Sequence, residues 1–190
     1  MSAEKEFHTQ RAAFHEAGHA ITAWLEGVAV VKVTVIPEEG NMGHVLTKHG
    51  VPLETDSGES FVLKCWAHIR VNFGGLCAEY LFCPNQHTSD GARGDHAHAA
   101  DLASALEGGS TERAGALLHL LYLQARDQLS AHEDIVKRLA ARLMADRELN
   151  AVEFKSFMTD ALMDFEPTEP RHVLNPKSRG TSGGTSGGQN

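Results

Sequence analysis

The segment Phe14-His15-Glu16-Ala17-Gly18-His19-Ala20-Ile21 is the most informative part of this sequence. Residues four apart lie on one face of an α-helix, so His15 and His19 can bind one metal ion from adjacent turns. Glu16 lies near the same edge and can take a proton from a metal-bound water without being a ligand itself. Because zinc lowers the pKa of such a water to about 7, the segment predicts a zinc-peptidase helix with Glu16 as its catalytic base.

The residues around this segment support the helix. Apolar residues recur at helical spacing, and Gly27 is a typical stop signal. These apolar positions are Ala13, Ala17, Ala20, Ile21 and Trp24. Gly18 costs about 1 kcal/mol relative to Ala in the middle of a helix. Its presence predicts that another segment packs very close to the metal-binding helix.

Length, charge and composition exclude several classes of protein. The chain has 190 residues, enough for one domain with a substantial core. Its net charge of −8 and the lack of a basic run disfavour binding to nucleic acid. No apolar stretch approaches the length of about 18 residues that a membrane span needs, and the amino-terminal segment lacks a signal-peptide hydrophobic region. We therefore expect a cytoplasmic protein without a membrane span, in which Cys65, Cys77 and Cys83 are reduced core residues.

The periodicity of apolar residues predicts a mainly α fold of the α+β type, with a small β-sheet beside the metal helix. The predicted helices span residues 4–26, 59–82, 94–106, 111–129, 132–146 and 151–164, and the predicted strands span residues 30–36 and 43–48. Gly74 and Gly75 interrupt the second helix, which predicts a kink or close helix packing. We expect one domain over residues 1–165 and a flexible Pro/Gly/Ser-rich tail over residues 166–190.

The third ligand of the expected zinc ion is not part of the motif. A catalytic zinc usually takes three protein ligands and leaves one position for water. The motif supplies two, so another part of the chain has to supply the third. Position in the sequence leaves several candidates open, namely His44, Glu79, Asp90, Asp95, His96, His98 and Asp101.

Four segments together resemble the peptidase domain of the FtsH family of membrane-anchored, ATP-dependent zinc metalloproteases. They occur in family order, as Phe14-His-Glu-Ala-Gly-His-Ala-Ile21, Lys32-Val-Thr-Val-Ile-Pro37 with Met42-Gly43, Phe73-Gly-Gly-Leu-Cys-Ala-Glu79, and Gly91-Ala-Arg-Gly-Asp95. The resemblance implies that Asp95, which matches the Asp of the family's G-A-x-x-D segment, is the third zinc ligand. It also implies that Glu79 lies behind the ligands and orients a metal-binding imidazole. Direct ligation by Glu79 is the alternative.

The chain also departs from that family. It contains no Gly-x-x-x-x-Gly-Lys-Ser/Thr nucleotide-binding loop, and it has Leu76 and Gly94 where the family segments carry Arg and Asn. We therefore expect a stand-alone peptidase domain with one zinc ion per chain and no ATPase of its own. A separate ATPase or unfoldase partner and a homo-oligomer remain open.

The expected function is hydrolysis of peptide bonds in peptides or unfolded proteins, without ATP. An extended substrate could add as a strand to the small sheet, along residues 30–36 or along residues 43–48. Two other functions stay open at this point. One is a regulatory or binding protein that keeps the zinc site but has little proteolytic activity, and the other is a zinc hydrolase of non-peptide amides.

Overall fold

Helix α1 (Ala3–Leu25) carries the His-Glu-x-x-His segment, and the other elements pack around it. The computed structural model describes residues 3–37, 43–47, 59–83 and 93–163. In these ranges the elements after α1 are β1 (Val30–Thr34), β2 (His44–Thr47), α2 (Glu59–Phe82), α3 (Arg93–Leu106), α4 (Thr111–Ala131), α5 (Glu133–Asp146), β3 (Glu148–Asn150) and α6 (Ala151–Met163). The predicted mainly α fold with a small sheet is confirmed.

Helices α1 and α2 pack against each other in antiparallel orientation. Phe14 stacks on Phe82 with ring centroids 5.8 Å apart, and the other end of the interface is joined by an ion pair between Glu26 and Arg70. The helices approach most closely at a pair of glycines. A Cβ added to Gly18 would lie 2.2 Å from the carbonyl oxygen of Gly74, and one added to Gly74 would lie 2.6 Å from that of Gly18. The close packing predicted from the glycines of both helices is therefore confirmed.

The sheet is antiparallel and has the strand order β2-β1-β3. Val33 of β1 is opposite Val45 of β2 on one side and Leu149 of β3 on the other. Strand β3 was not predicted, because three residues are too few to show an alternating pattern. The suggestion that residues 30–36 form a docking edge is wrong, since β1 is paired on both sides. Strand β2 has no second strand partner among the described residues and keeps a free edge there.

The core consists of the inner faces of the helices and the sheet. Its largest fully buried side chains come from five helices and from the sheet, and they include Ile21, Ile69, Leu121, Leu139, Leu149 and Phe154. Cys65, Cys77 and Cys83 are buried and not in disulfides, as expected for core residues. Burial raises the pKa of the Cys77 thiol to about 12. None of the described helices is long and apolar enough to span a membrane.

Two sequence-based predictions fall on residues that the structure does not describe. The domain boundary after residue 165 and the tail over residues 166–190 lie beyond the last described residue, Met163. The candidate ligand Asp90 also lies outside the described residues. These predictions stay predictions.

Candidate metal centre

His15 and His19 project from adjacent turns of α1 toward one point. Their Nε2 atoms lie 2.9 Å apart. Oδ2 of Asp95, in the first turn of α3, lies 3.3 Å from Nε2 of His15 and 3.2 Å from Nε2 of His19. In the part of the chain that the structure describes, these residues form the one group of three or more His, Cys, Asp or Glu side chains that could hold a metal ion.

The other nitrogen of each imidazole is fixed by a hydrogen bond. Nδ1 of His19 donates to the carbonyl oxygen of Val71 at 2.7 Å, and Nδ1 of His15 donates to Oε1 of Glu79 at 2.7 Å. A carbonyl oxygen and a carboxylate can only accept, so both Nδ1 atoms carry hydrogen. In a neutral ring with this tautomer, the lone pair is on Nε2 and points at the partner histidine and Asp95.

This arrangement fits a zinc ion. Two imidazole lone pairs and a carboxylate oxygen would repel one another at 2.9–3.3 Å unless positive charge lay between them. Two histidines and a carboxylate are also ligands that zinc commonly takes in catalytic sites. Gly75 on α2 leaves the necessary space. A Cβ at that position would lie 2.5 Å from Nε2 of His19 and 2.7 Å from Nε2 of His15.

The electrostatics of the pocket favour positive charge at the same point. Burial by itself lowers the pKa of His15, but hydrogen bonds that the doubly protonated ring would make with Asp95 and Glu79 outweigh burial and raise the pKa to about 10. Burial would raise the pKa of the Asp95 carboxyl group, yet hydrogen bonds from protonated imidazoles hold this pKa well below its usual range. The carboxylates therefore attract a cation to the place where the ligand atoms meet.

Glu16 lies beside the histidines and is nearly inaccessible to solvent, with 5% of its surface exposed. Burial raises the pKa of its carboxyl group, against the opposing effect of the two histidines. Oε2 of Glu16 has no hydrogen-bond partner among the described residues. A buried carboxylate oxygen without a partner is costly to the fold, so it calls for a functional explanation.

Gly43, directly before β2, lies against Glu16. A Cβ added to Gly43 would lie 2.9 Å from Oε1 of Glu16 and 2.7 Å from the carbonyl oxygen of Thr34. The sequence predicts a strand that begins at Gly43 and a kink or close helix packing at Gly75, but it links neither residue to the metal site. In both cases a larger residue would press on a site side chain, which spacing along the sequence cannot reveal.

Glu79 lies behind the histidines rather than among the facing ligand atoms. It contacts Nδ1 of His15, whereas Asp95 faces Nε2 of the same ring. The predicted orienting role of Glu79 requires this contact, and the role stays a prediction. Ligation by His15, His19 and Asp95 stays a prediction.

The remaining candidates for the third ligand are not part of this group. His96, His98 and Asp101 are exposed on α3, and the ring of His96 packs edge-on against Phe73. His44 begins β2, where its Cα is opposite that of Thr34.

Comparison with known proteins gives a family for this chain. The model of Peptidase family M41 matches residues 3–107, which contain every predicted site residue. The ATP-dependent zinc metalloprotease YME1L1 of Rattus norvegicus is 26% identical over 170 residues, which cover 75% of this chain and 23% of the relative. The proteins of the same name from Mus musculus and Homo sapiens are also 26% identical over 170 residues, with 75% of this chain covered and 23% and 22% of the relatives.

The chain thus spans less than a quarter of the length of these relatives, and the family match extends over more than half of the chain. We conclude that this chain belongs to peptidase family M41, and this membership supports a metallopeptidase function that uses zinc.

Proposed function

We propose that this chain is a zinc metallopeptidase that hydrolyses peptide bonds in peptides or unfolded proteins. The observation that carries the proposal is the convergence of two imidazole Nε2 atoms and a carboxylate oxygen beside the buried carboxylate of Glu16, whose Oε2 has no hydrogen-bond partner among the described residues. His15, His19 and Asp95 would hold one zinc ion. Zinc bound there would polarise the scissile carbonyl and lower the pKa of a bound water to about 7.

Glu16 is the proposed general base and general acid. Its free Oε2 can accept a proton from the attacking water, and the same carboxyl group can later give that proton to the leaving amine. Glu79 and the carbonyl of Val71 hold the two imidazole rings in orientation through their Nδ1 atoms.

The free edge of β2 is the proposed docking position for the substrate backbone. An extended peptide can add to a sheet edge as a further strand, with its main-chain groups hydrogen-bonded to that edge. Because Gly43, directly before β2, lies against Glu16, a peptide along this edge would pass close to the base. A folded domain, stable by about 5–15 kcal/mol, rarely offers such an extended segment, whereas an unfolded chain offers many.

We further propose that hydrolysis by this chain needs no ATP. The relatives are named as ATP-dependent, but the sequence described here spans 23% of their length and has no nucleotide-binding loop. Without such a loop these residues have no internal source of energy for unfolding a substrate. Folded substrates would require a separate ATPase or unfoldase.

Digestion of two substrates tests this proposal. Zinc-loaded protein is incubated with casein, which is unfolded, and with a stable folded reporter, each with and without ATP and with and without a chelator. We expect cleavage of casein that the chelator stops and ATP leaves unchanged, and no cleavage of the reporter. Cleavage of the reporter only with ATP would contradict the proposal that these residues have no internal source of energy for unfolding a substrate.

The same assay separates the two alternatives. Zinc binding without cleavage of casein under any condition would favour a regulatory or binding protein. Turnover of small non-peptide amides, without turnover of peptides, would favour an amide hydrolase.

A further inference from the structure

Arg11 is a buried cation one helical turn before His15 on α1. Only 6% of its surface is exposed, and Glu79, a carboxylate with which it forms an ion pair, is 2% exposed. Nε of Arg11 lies 4.0 Å from Oε2 of Glu79. Two opposite charges buried this deeply interact strongly, because little water remains between them to screen the attraction.

The two oxygens of Glu79 face different partners. Oε1 accepts the hydrogen bond from Nδ1 of His15, and Oε2 faces Arg11 but has no hydrogen-bond partner among the described residues. Leu76, one turn before Glu79 on α2, is apolar, so the positive charge beside the carboxylate comes from the other helix. Arg11 therefore acts on the side of Glu79 that the histidine does not use.

We propose that Arg11 is a positioning residue of the metal centre, which holds Glu79 against His15 and thereby aims Nε2 of His15 at the metal. The inference rests on the proposed function, because it requires His15 to be a zinc ligand. The orientation of a ligating imidazole is commonly set by the group that its second nitrogen contacts, and here that group is itself held by a buried charge. Arg11 is not one of the residues whose ligand atoms meet at the proposed metal position.

Replacement of Arg11 by Met removes the charge and keeps most of the volume. We expect Arg11→Met to weaken zinc binding by about 10–100-fold, the usual effect of losing a group that supports a ligand. Arg11→Lys should recover most of this loss, because the contact with Glu79 is electrostatic and is not a two-pronged hydrogen bond. Zinc affinity is measured by competition with a chelator, and the absorption spectrum of the Co²⁺-loaded protein reports the ligand geometry.

Arg70→Met is the matched control. Arg70 is also a mostly buried arginine in the interface of α1 and α2, where its Nε donates to Oε1 of Glu26 at 2.7 Å. Glu26 follows the last residue of α1 and is seven residues beyond His19, which corresponds to about 10 Å along the helix direction. Arg70→Met should therefore lower the free energy of unfolding while zinc affinity and the Co²⁺ spectrum stay as in the wild type.

A double substitution shows whether Arg11 acts through Glu79. Arg11→Met and Glu79→Gln together remove both members of this buried ion pair, so neither charge is left without the other. If both residues act on the orientation of His15, the zinc affinity of the double variant should be no lower than that of the single variant with the lower zinc affinity. Additive losses would contradict action through Glu79.

The outcomes for the inference and for the proposed function are distinguishable. Wild-type protein that binds no zinc overturns both. Wild-type protein that binds zinc, together with an Arg11→Met variant of unchanged zinc affinity and unchanged Co²⁺ spectrum, overturns the role of Arg11 alone. A weakened Arg11→Met variant that Arg11→Lys rescues, beside an unaffected Arg70→Met control, supports the role.

Discussion

At the scale of single residues, the site depends on which nitrogen of each histidine is occupied. Nδ1 of His15 and Nδ1 of His19 are taken by Glu79 and by a backbone carbonyl, so the Nε2 atoms are the ones left for a metal. Asp95 completes the group from a helix that begins far away in the sequence. The division between ligand and supporting residue follows from which ring nitrogen each carboxylate contacts.

Substitutions of the two carboxylates test that division. Asp95→Ala removes a proposed ligand, so we expect it to bind no stoichiometric zinc at concentrations that saturate the wild type. Glu79→Gln should still bind zinc, with affinity lower by about 10–100-fold, because it alters only the support of His15. Zinc content after desalting measures the first effect and chelator competition the second.

Anomalous scattering from zinc-loaded crystals locates the metal ion and so tests the same assignment of ligands directly. The zinc position should lie about 2.0–2.2 Å from Nε2 of His15, Nε2 of His19 and a carboxylate oxygen of Asp95. An inner shell that contains Glu79 or His96 and leaves Asp95 outside would contradict the assignment.

Gly75 offers a second prediction at the residue scale. A Cβ there would lie 2.5 Å from Nε2 of His19, so Gly75→Ala should push both imidazoles out of alignment. Overpacking of this kind costs about 1–3 kcal/mol, which corresponds to zinc affinity about 5- to 150-fold lower. Chelator competition on the purified variant measures this change.

Gly115→Ala is the control for Gly75→Ala. Gly115 is also inside a helix, and apart from the neighbouring backbone of that helix no atom of the described residues lies within 4 Å of a Cβ placed there. This variant should leave zinc affinity unchanged and stabilise α4 by up to about 1 kcal/mol. Equal zinc affinity in the Gly75→Ala variant and the wild type would show that Gly75 does not limit the space around the metal.

At the scale of secondary-structure elements, the crossing of α1 and α2 builds the site. Arg11, His15 and His19 are spaced four apart on α1, and Val71 and Glu79 are spaced eight apart on α2, so each set faces the other helix. Since the helices are antiparallel, His15 meets Glu79 and His19 meets the carbonyl of Val71. The glycine contact between the helices fixes their separation, so it also fixes these hydrogen bonds.

Gly18→Ala tests the importance of that crossing. Alanine favours a helix by about 1 kcal/mol over glycine, but its Cβ would lie 2.2 Å from the carbonyl oxygen of Gly74. The helices would have to separate, and we expect a net loss of about 1–3 kcal/mol in the free energy of unfolding of the metal-free protein. Chemical denaturation of the metal-free proteins measures this difference in the free energy of unfolding. A Gly18→Ala protein as stable as the wild type would refute close packing at this position.

At the scale of the whole molecule, distant parts of the chain converge on α1. Glu79 is 64 residues and Asp95 is 76 residues from the histidines that they contact. The sheet, held on β1 by both of its neighbours, brings Gly43 to the other side of Glu16. The site is thus a product of the complete arrangement of helices and strands rather than of the motif alone.

How much of this arrangement could be predicted depends on how many consecutive residues each sequence pattern covers. Helical periodicity over 24 residues gave the bounds of α2 correctly, whereas the three residues of β3 were too short to show any pattern. The histidine pair was evident because both residues lie on one helix. Asp95 could be chosen only through resemblance to a family, and the contact of Arg11 with Glu79 was not foreseen, because sequence spacing does not report contacts between helices.

The most direct test of the central claim compares the rate of casein cleavage by the wild type and by Glu16→Gln at matched zinc content. The amide fills the same space as the carboxylate but cannot take a proton, so the variant should keep zinc and the fold. We predict that its initial rate is lower by at least about 10²–10⁴-fold, as expected for loss of a general base. A zinc-loaded variant that cleaves casein at the wild-type rate would contradict the assignment of Glu16 as the catalytic base of this peptidase.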